Sequence, residues 1–162
     1  MGTFPSGPQL VVTQFPAVAS AGQIADTGFR DVTTGIADGD MDPALAVVLG
    51  AHGSDSIKLP SATGDLASLK GWTLAKVMKE PRTPQFAATD AVDVLRVGRL
   101  WVVPQGDVVD EGPVYVIHSG ANAGRIRGDA GSGGNAATLV SRAKVLKGAT
   151  AGNLARIAVN LP

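Results

Sequence analysis

The sequence predicts an all-β fold: a single sandwich- or barrel-like domain, of jelly-roll or related type, with an extended N-terminal arm. Three observations carry this prediction. Val-rich runs recur between Gly and Pro punctuation, as at Val92-Val97, Arg99-Val103 and Val114-Ile117, and such runs read as strands. The closing stretch Leu154-Ala155-Arg156-Ile157-Ala158-Val159-Asn160-Leu161 alternates strictly between two faces, the pattern of a strand buried on one side. No long stretch carries the 3.6-residue period of an amphipathic helix.

Residues 1–23 contain Pro5, Pro8 and Pro16, which exclude a helix there. An extended arm is expected, with Leu10-Val11-Val12 as a short edge strand. Phe4, Phe15 and Phe29 lie in or just after the arm. A solvated tail seldom carries such rings, although a disordered terminus is the plain alternative. The β domain is drawn as 24–162. Within it, Ile24 to Gly28 reads as a turn and Asp31 to Asp42 as a polar loop. Ala44 to Leu49 is an apolar run closed by Gly50 and reads as a buried strand. Ile57 to Pro60 makes another strand. Ser61 to Leu69 is loop with at most one helical turn. Trp72 to Met78 is strand-like, and Pro81 and Pro84 then enforce an extended connection.

The centre of the chain reads as a three-stranded meander, reversing at Gly98 and again at Asp110 to Pro113. Gly98 is expected to take a positive φ and turn the chain. Ser119 to Asn135 is rich in Gly and Asn and reads as a long flexible loop. Ala137 to Leu146 and Leu154 to Leu161 supply the last strands. About eight short strands separated by turns argue for a sandwich or barrel.

Composition narrows the function classes. Lys plus Arg equals Asp plus Glu, 14 each, so no net charge draws the chain to nucleic acid or to an anionic membrane. Charged residues are 17 % of the chain, below the usual ~25 %. With a mean hydropathy of +0.17, this fits a protein packed among neighbours, or a small-residue-rich domain without a partner. There is no Cys, which removes disulfides and thiolate metal sites. Nothing at Met1 to Pro5 resembles a signal peptide, and no apolar run has the ~20 residues of a membrane span.

Catalytic and metal signatures are sparse. His52 lies beside Gly53 in a loop, and His118 ends a strand beside Ser119. No Gly-x-Ser-x-Gly elbow accompanies them. Gly128 to Gly134 is Gly-rich but lacks the Gly-Lys-Ser/Thr of a phosphate-binding loop and the strand–helix context of a dinucleotide site. Arg125 and Arg127 read as a solvated loop tip. Asp38-Gly39-Asp40-Met41-Asp42 lacks the calcium-loop spacing, and Asp107, Asp110 and Glu111 suit turn ends. No cofactor is expected.

The order of motifs resembles the structural cement proteins of tailed bacteriophages. The resemblance runs from Pro16-Ala17-Val18-Ala19-Ser20-Ala21-Gly22-Gln23-Ile24-Ala25-Asp26, through Ala46-Val47-Val48-Leu49-Gly50 and Lys70-Gly71-Trp72-Thr73-Leu74-Ala75. It continues in Asp93-Val94-Leu95-Arg96-Val97-Gly98-Arg99-Leu100-Trp101-Val102, Val108 and Gly112-Pro113-Val114-Tyr115-Val116. It ends in Gly152-Asn153 and the alternating strand that follows. The acidic loop Asp38 to Asp42 and the long N-terminus depart from the family's pattern. The resemblance implies a non-enzymatic β protein that binds assembled major capsid protein on the outer surface of the virion, after assembly in the host bacterial cytoplasm. It implies no direct partner in nucleic acid or membrane. It also points to self-association, with trimers favoured by capsid three-fold positions and dimers at two-folds as the alternative. Phe4, Leu10, Val11, Val12 and Phe15 are the expected arm contacts. Trp72 and Trp101 are the expected core or interface anchors. A different class, a small β-barrel enzyme or carbohydrate-binding module with its site on the loops around His52, His118 and Gly128 to Gly134, is the competing expectation.

Overall fold

Strand pairing closes on itself in one half of the molecule. In this computed structural model, residues 19–26, 28–76 and 85–162 are described. Strand β1 (Asp31–Ala37) pairs in parallel with β3 (Ser56–Lys58). β3 pairs with β2 (Ala46–Leu49), and β2 with β4 (Leu69–Thr73), both antiparallel. β4 then pairs with β5 (Ala91–Val102), and the first half of β5 returns to β1. Five strands thus form a small closed barrel. A 3-10 helix, Thr63–Ser68, leads into β4.

β5 does not end at the barrel. Its second half, Val97 to Val102, pairs with β9 (Ala155–Asn160). β9 pairs with β8 (Ala137–Lys147), β8 with β6 (Pro113–Ile117), and β6 with the short β7 (Ile126–Arg127). A second 3-10 helix, Gly133–Asn135, precedes β8. The all-β fold expected from the sequence is what forms, with barrel and sheet joined through one strand.

Side-chain alternation divides the core in two. Ala37, Val47, Ile57, Val92 and Val94 fill the barrel, closed by Met41 and Phe86 from loops that bridge each other. The neighbouring residues point the other way, as successive strand residues must. Ala46, Trp72 and Leu95 thereby join Leu100, Val102, Val114, Val116, Val145, Ile157 and Val159 in a larger core between barrel and sheet. Each large apolar side chain so buried contributes about 1.5–3 kcal/mol.

Several local expectations need correction. Gly98 is not a hairpin turn, because β5 runs straight through it. Its φ of +137° falls where β5 passes from its pairing with β1 to its pairing with β9. A β-carbon there would stand 3.3 Å from Arg30 Cβ and 3.2 Å from a Leu95 methyl. The three-stranded meander is therefore absent: its first two strands are one, and β6 pairs with β7 and β8 instead. Asp31 to Ala37 is a strand, although most of its side chains are exposed. Its place is fixed by pairing with β5 and β3 rather than by an apolar face. The segment 119–135 is no free loop either. It contains β7, buries Ile126, and is tied by Ile117 N–H to Arg125 O at 2.9 Å and Ala137 N–H to Ala130 O at 2.8 Å. The strand expected over Trp72 to Met78 starts earlier, at Leu69, and ends at Thr73.

The hydrogen bonding of the body reaches back to Gly22. Gly22 N–H donates to Trp101 O at 2.8 Å, Trp101 N–H to Gln23 O at 2.9 Å, and Ala25 N–H to Arg99 O at 2.8 Å. The Leu10 to Val12 strand and the Pro81–Pro84 connection lie outside the described residues.

Candidate interaction surface

The residues that resemble catalytic groups are engaged in holding loops. Ser56 is buried, and its hydroxyl donates to Asp38 at 2.6 Å while accepting from the His52 N–H at 3.1 Å. Asp38 also accepts from the Ala51 N–H at 2.7 Å and lies 3.0 Å from His52 Nδ1. The carboxylate sits between serine and imidazole, so the ring has no access to the hydroxyl it would have to activate. The Ser56 hydroxyl above all, then the Ala51 amide and His52, hold Asp38 down at about 2. His118 has a different partner, Thr63 Oγ1, 3.3 Å from its Nε2. The two histidines expected to share a loop-borne site therefore serve separate contacts.

The charged loops behave alike. Arg127 folds onto its own loop, with Nη2 2.7 Å from Asp129 and Nη1 donating to Asn135 O at 3.2 Å. Arg127, then the Gly131 amide, holds the Asp129 carboxyl below its usual range. Asp107 accepts from Ala151 N–H at 2.8 Å, Asp110 from Gly148 N–H at 2.6 Å, and Glu111 pairs with Lys144. In the acidic loop, Asp40 accepts from Ala88 N–H at 3.3 Å and Asp42 from Gln85 N–H at 3.1 Å. These carboxylates close turns by accepting backbone amides.

What remains accessible is surface. Trp72 is fully buried in the chain's own larger core, with no exposed ring to offer a partner. Trp101 is different: it points outward from β5, opposite Arg156 of β9, which in turn opposes Lys147 of β8. The Arg156 guanidinium lies 5.8 Å, and Lys147 Nζ 6.0 Å, from the indole ring centre. Cations at this distance are drawn to the ring's electron-rich face. Phe4, Leu10, Val11, Val12 and Phe15 lie outside the described residues. Phe29, just before β1, is 83 % exposed, and Val32 and Ile36 of β1 are partly exposed. Sequence reasoning did not find the cations around Trp101, because they come from strands that meet only through register. The one available signal was the alternation that puts Arg156, Ala158 and Asn160 on a single face.

With this geometry the chain can be set beside known proteins. It is similar in fold to a chain from the capsid of Myoviridae phage XM1, with a TM-score of 0.72 at 21 % identity, over 93 % of this chain and 95 % of that one. The base of the phi29 head fiber, gp8.5, covers 82 % of this chain and 95 % of its own. It does so at 14 % identity and a TM-score of 0.36, too loose a likeness to argue from. No curated protein matches the chain in sequence. Residues 8–160 match the family described as "Structural cement protein (E217 gp24/Pam3 gp6)". A match of that extent takes in both the barrel and the sheet, and the chain belongs to the phage structural cement protein family.

Proposed function

We propose that this protein reinforces a phage head by binding assembled major capsid protein on the outer surface and tying neighbouring capsomers together. The observation that carries the reading is the family match over residues 8–160. The described residues suit such a role: Ser56, His52, Asp38 and Asp107 hold loops, while an aromatic ring and several cations face outward. The protein acts by contact alone, without catalysis. A shell repeats each contact at many equivalent positions, so modest affinity per copy is enough. The arm, upstream of the Ser20 to Gln23 segment that is bonded to the body, runs along the shell, with Phe4 and Phe15 as apolar anchors and Leu10 to Val12 offering backbone groups to a strand edge.

The test uses purified protein and expanded capsids that lack decoration. The protein is expected to sediment with the capsids, saturate at a fixed ratio to major capsid protein, and raise the temperature at which filled heads release DNA. Failure to bind at about 10 μM, a concentration at which even a micromolar complex is mostly formed, would overturn the reading.

A further inference from the structure

Although the chain is neutral overall, its charge is divided between the two halves of the fold. Residues 31–76 and 85–95, which build the barrel, contain eight acids and three bases; residues 96–162, which build the sheet, contain four acids and eight bases. The division falls within β5, where it leaves the barrel for β9.

On the outer face of β5, β9 and β8 the bases form rows. One row is Trp101, Arg156 and Lys147, and the next is Arg99, Ala158 and Lys144. A shallow depression of 330 Å³ lies beside them, lined by Arg142, Lys144, Ala158 and Asn160 among others. Arg99 is paired with Asp26 and Lys144 with Glu111. Arg142, Lys147 and Arg156 have no carboxylate partner among the described residues. At the barrel, the loop Asp38 to Asp42 holds three carboxylates within five residues; Asp38 and Asp42 are bonded within the fold, and Asp40 is the exposed one that faces solvent.

We propose that the basic outer face of β5–β9–β8 receives the loop Asp38 to Asp42 of a second copy of this chain, with Asp40 as the charge that reaches it. Charge selects the geometry. Two copies meeting face to face through either surface would oppose like charges, which is unfavourable. Head-to-tail contact pairs opposite charges at every junction, and such a heterologous contact closes into a ring when its rotation allows. The depression around Ala158 gives the incoming loop room, beside the cations stacked over Trp101. The inference is independent of the capsid reading, because it is tested in solution without a shell.

The test is sedimentation of the full chain and three variants, each checked for fold by circular dichroism. Sheet reversal uses Arg142→Glu with Lys147→Glu. Loop reversal uses Gly39→Lys with Asp40→Lys; an added side chain at Gly39 meets nothing within 4 Å. The parent is expected to self-associate at about 50 mM salt and to weaken several-fold at about 500 mM, where surface charges are screened. Each reversal alone is expected to leave monomers, and the combined variant, with both signs exchanged, to associate again. A parent that stays monomeric at low salt overturns the proposal, as does a combined variant that stays monomeric. Sheet reversal that abolishes capsid binding while leaving self-association intact also overturns it, and assigns the basic face to the shell.

Discussion

Gly71 shows how closely the barrel is drawn. It lies in β4 at φ +148°, and a β-carbon there would run into the Leu95 carbonyl oxygen and come 2.7 Å from a Val94 methyl. Backbone atoms cannot yield as a flexible side chain can. Gly71→Ala is therefore expected to cost about 2 kcal/mol or more in chemical denaturation, since strain in a disfavoured φ/ψ region alone costs about 1–3 kcal/mol. Gly39→Ala, in open space, serves as the near-neutral control. Asp38 gives a pH prediction. Its carboxyl falls from 3.8 to about 2 in the fold, so the folded state favours the charged form. The stabilisation is fully present above about pH 4, the ordinary carboxylate range, and is lost as pH falls through the folded value. Asp38→Asn is expected to be less stable than the parent at neutral pH, with a gap that narrows between about pH 4 and pH 2. Urea titrations over that range measure it, and a gap that stays constant to pH 2 would show that the charge contributes nothing.

Elements differed in how plainly their residues announced them. β9 was fully legible, because one buried face imposes strict alternation and Ala155, Ile157 and Val159 are all buried. The Val density of β5 was legible too, but its continuity was not. A glycine between two Val-rich runs has the same local signature whether it reverses the chain or lets it run on. The choice rests on β1 and β9, which lie along successive halves of one strand. β1 was missed for the complementary reason: Asp31, Thr33, Thr34 and Gly35 show no apolar period, and only distant pairing makes them a strand. Gly98→Val tests the passage from β1 to β9. At φ +137°, with Arg30 and Leu95 3.2–3.3 Å from the new β-carbon, it is expected to lower the denaturation midpoint of the entire domain as a single transition. A biphasic curve, with the barrel melting apart from the sheet, would contradict the shared-strand architecture.

At the scale of the molecule, the fold class and the family were readable from the order of strands and turns, while the basic face proposed as an interface was not. Arg142, Lys144, Lys147 and Arg156 are spread across two strands that pair only in the fold. The acids that balance their charge lie mostly in the other half of the chain. Trp72 and Trp101 looked equivalent in sequence, but strand register buries one fully and leaves the other half-buried on the outer face. The proposed arm is tested by deleting residues 1–18, upstream of the first described contacts at Ser20 and Gly22. The truncated protein is expected to keep its circular dichroism spectrum and to bind capsids at least about tenfold more weakly, a loss of ~1.4 kcal/mol. Equal affinity would reduce the arm to a passive tail.

The passage of β5 from barrel into sheet has a mechanical consequence. In the role proposed above, a protein tying neighbouring capsomers of a DNA-filled head is pulled from both sides. Had barrel and sheet been separate bodies pressed together, the load would fall on side-chain packing alone. Here the tension runs along a covalent backbone, with β1 and β9 laced to it by hydrogen bonds. Drawing the halves apart along that axis means shearing many ladder bonds at once rather than opening them one by one, which suits the molecule to the proposed role as a tie rod rather than as glue.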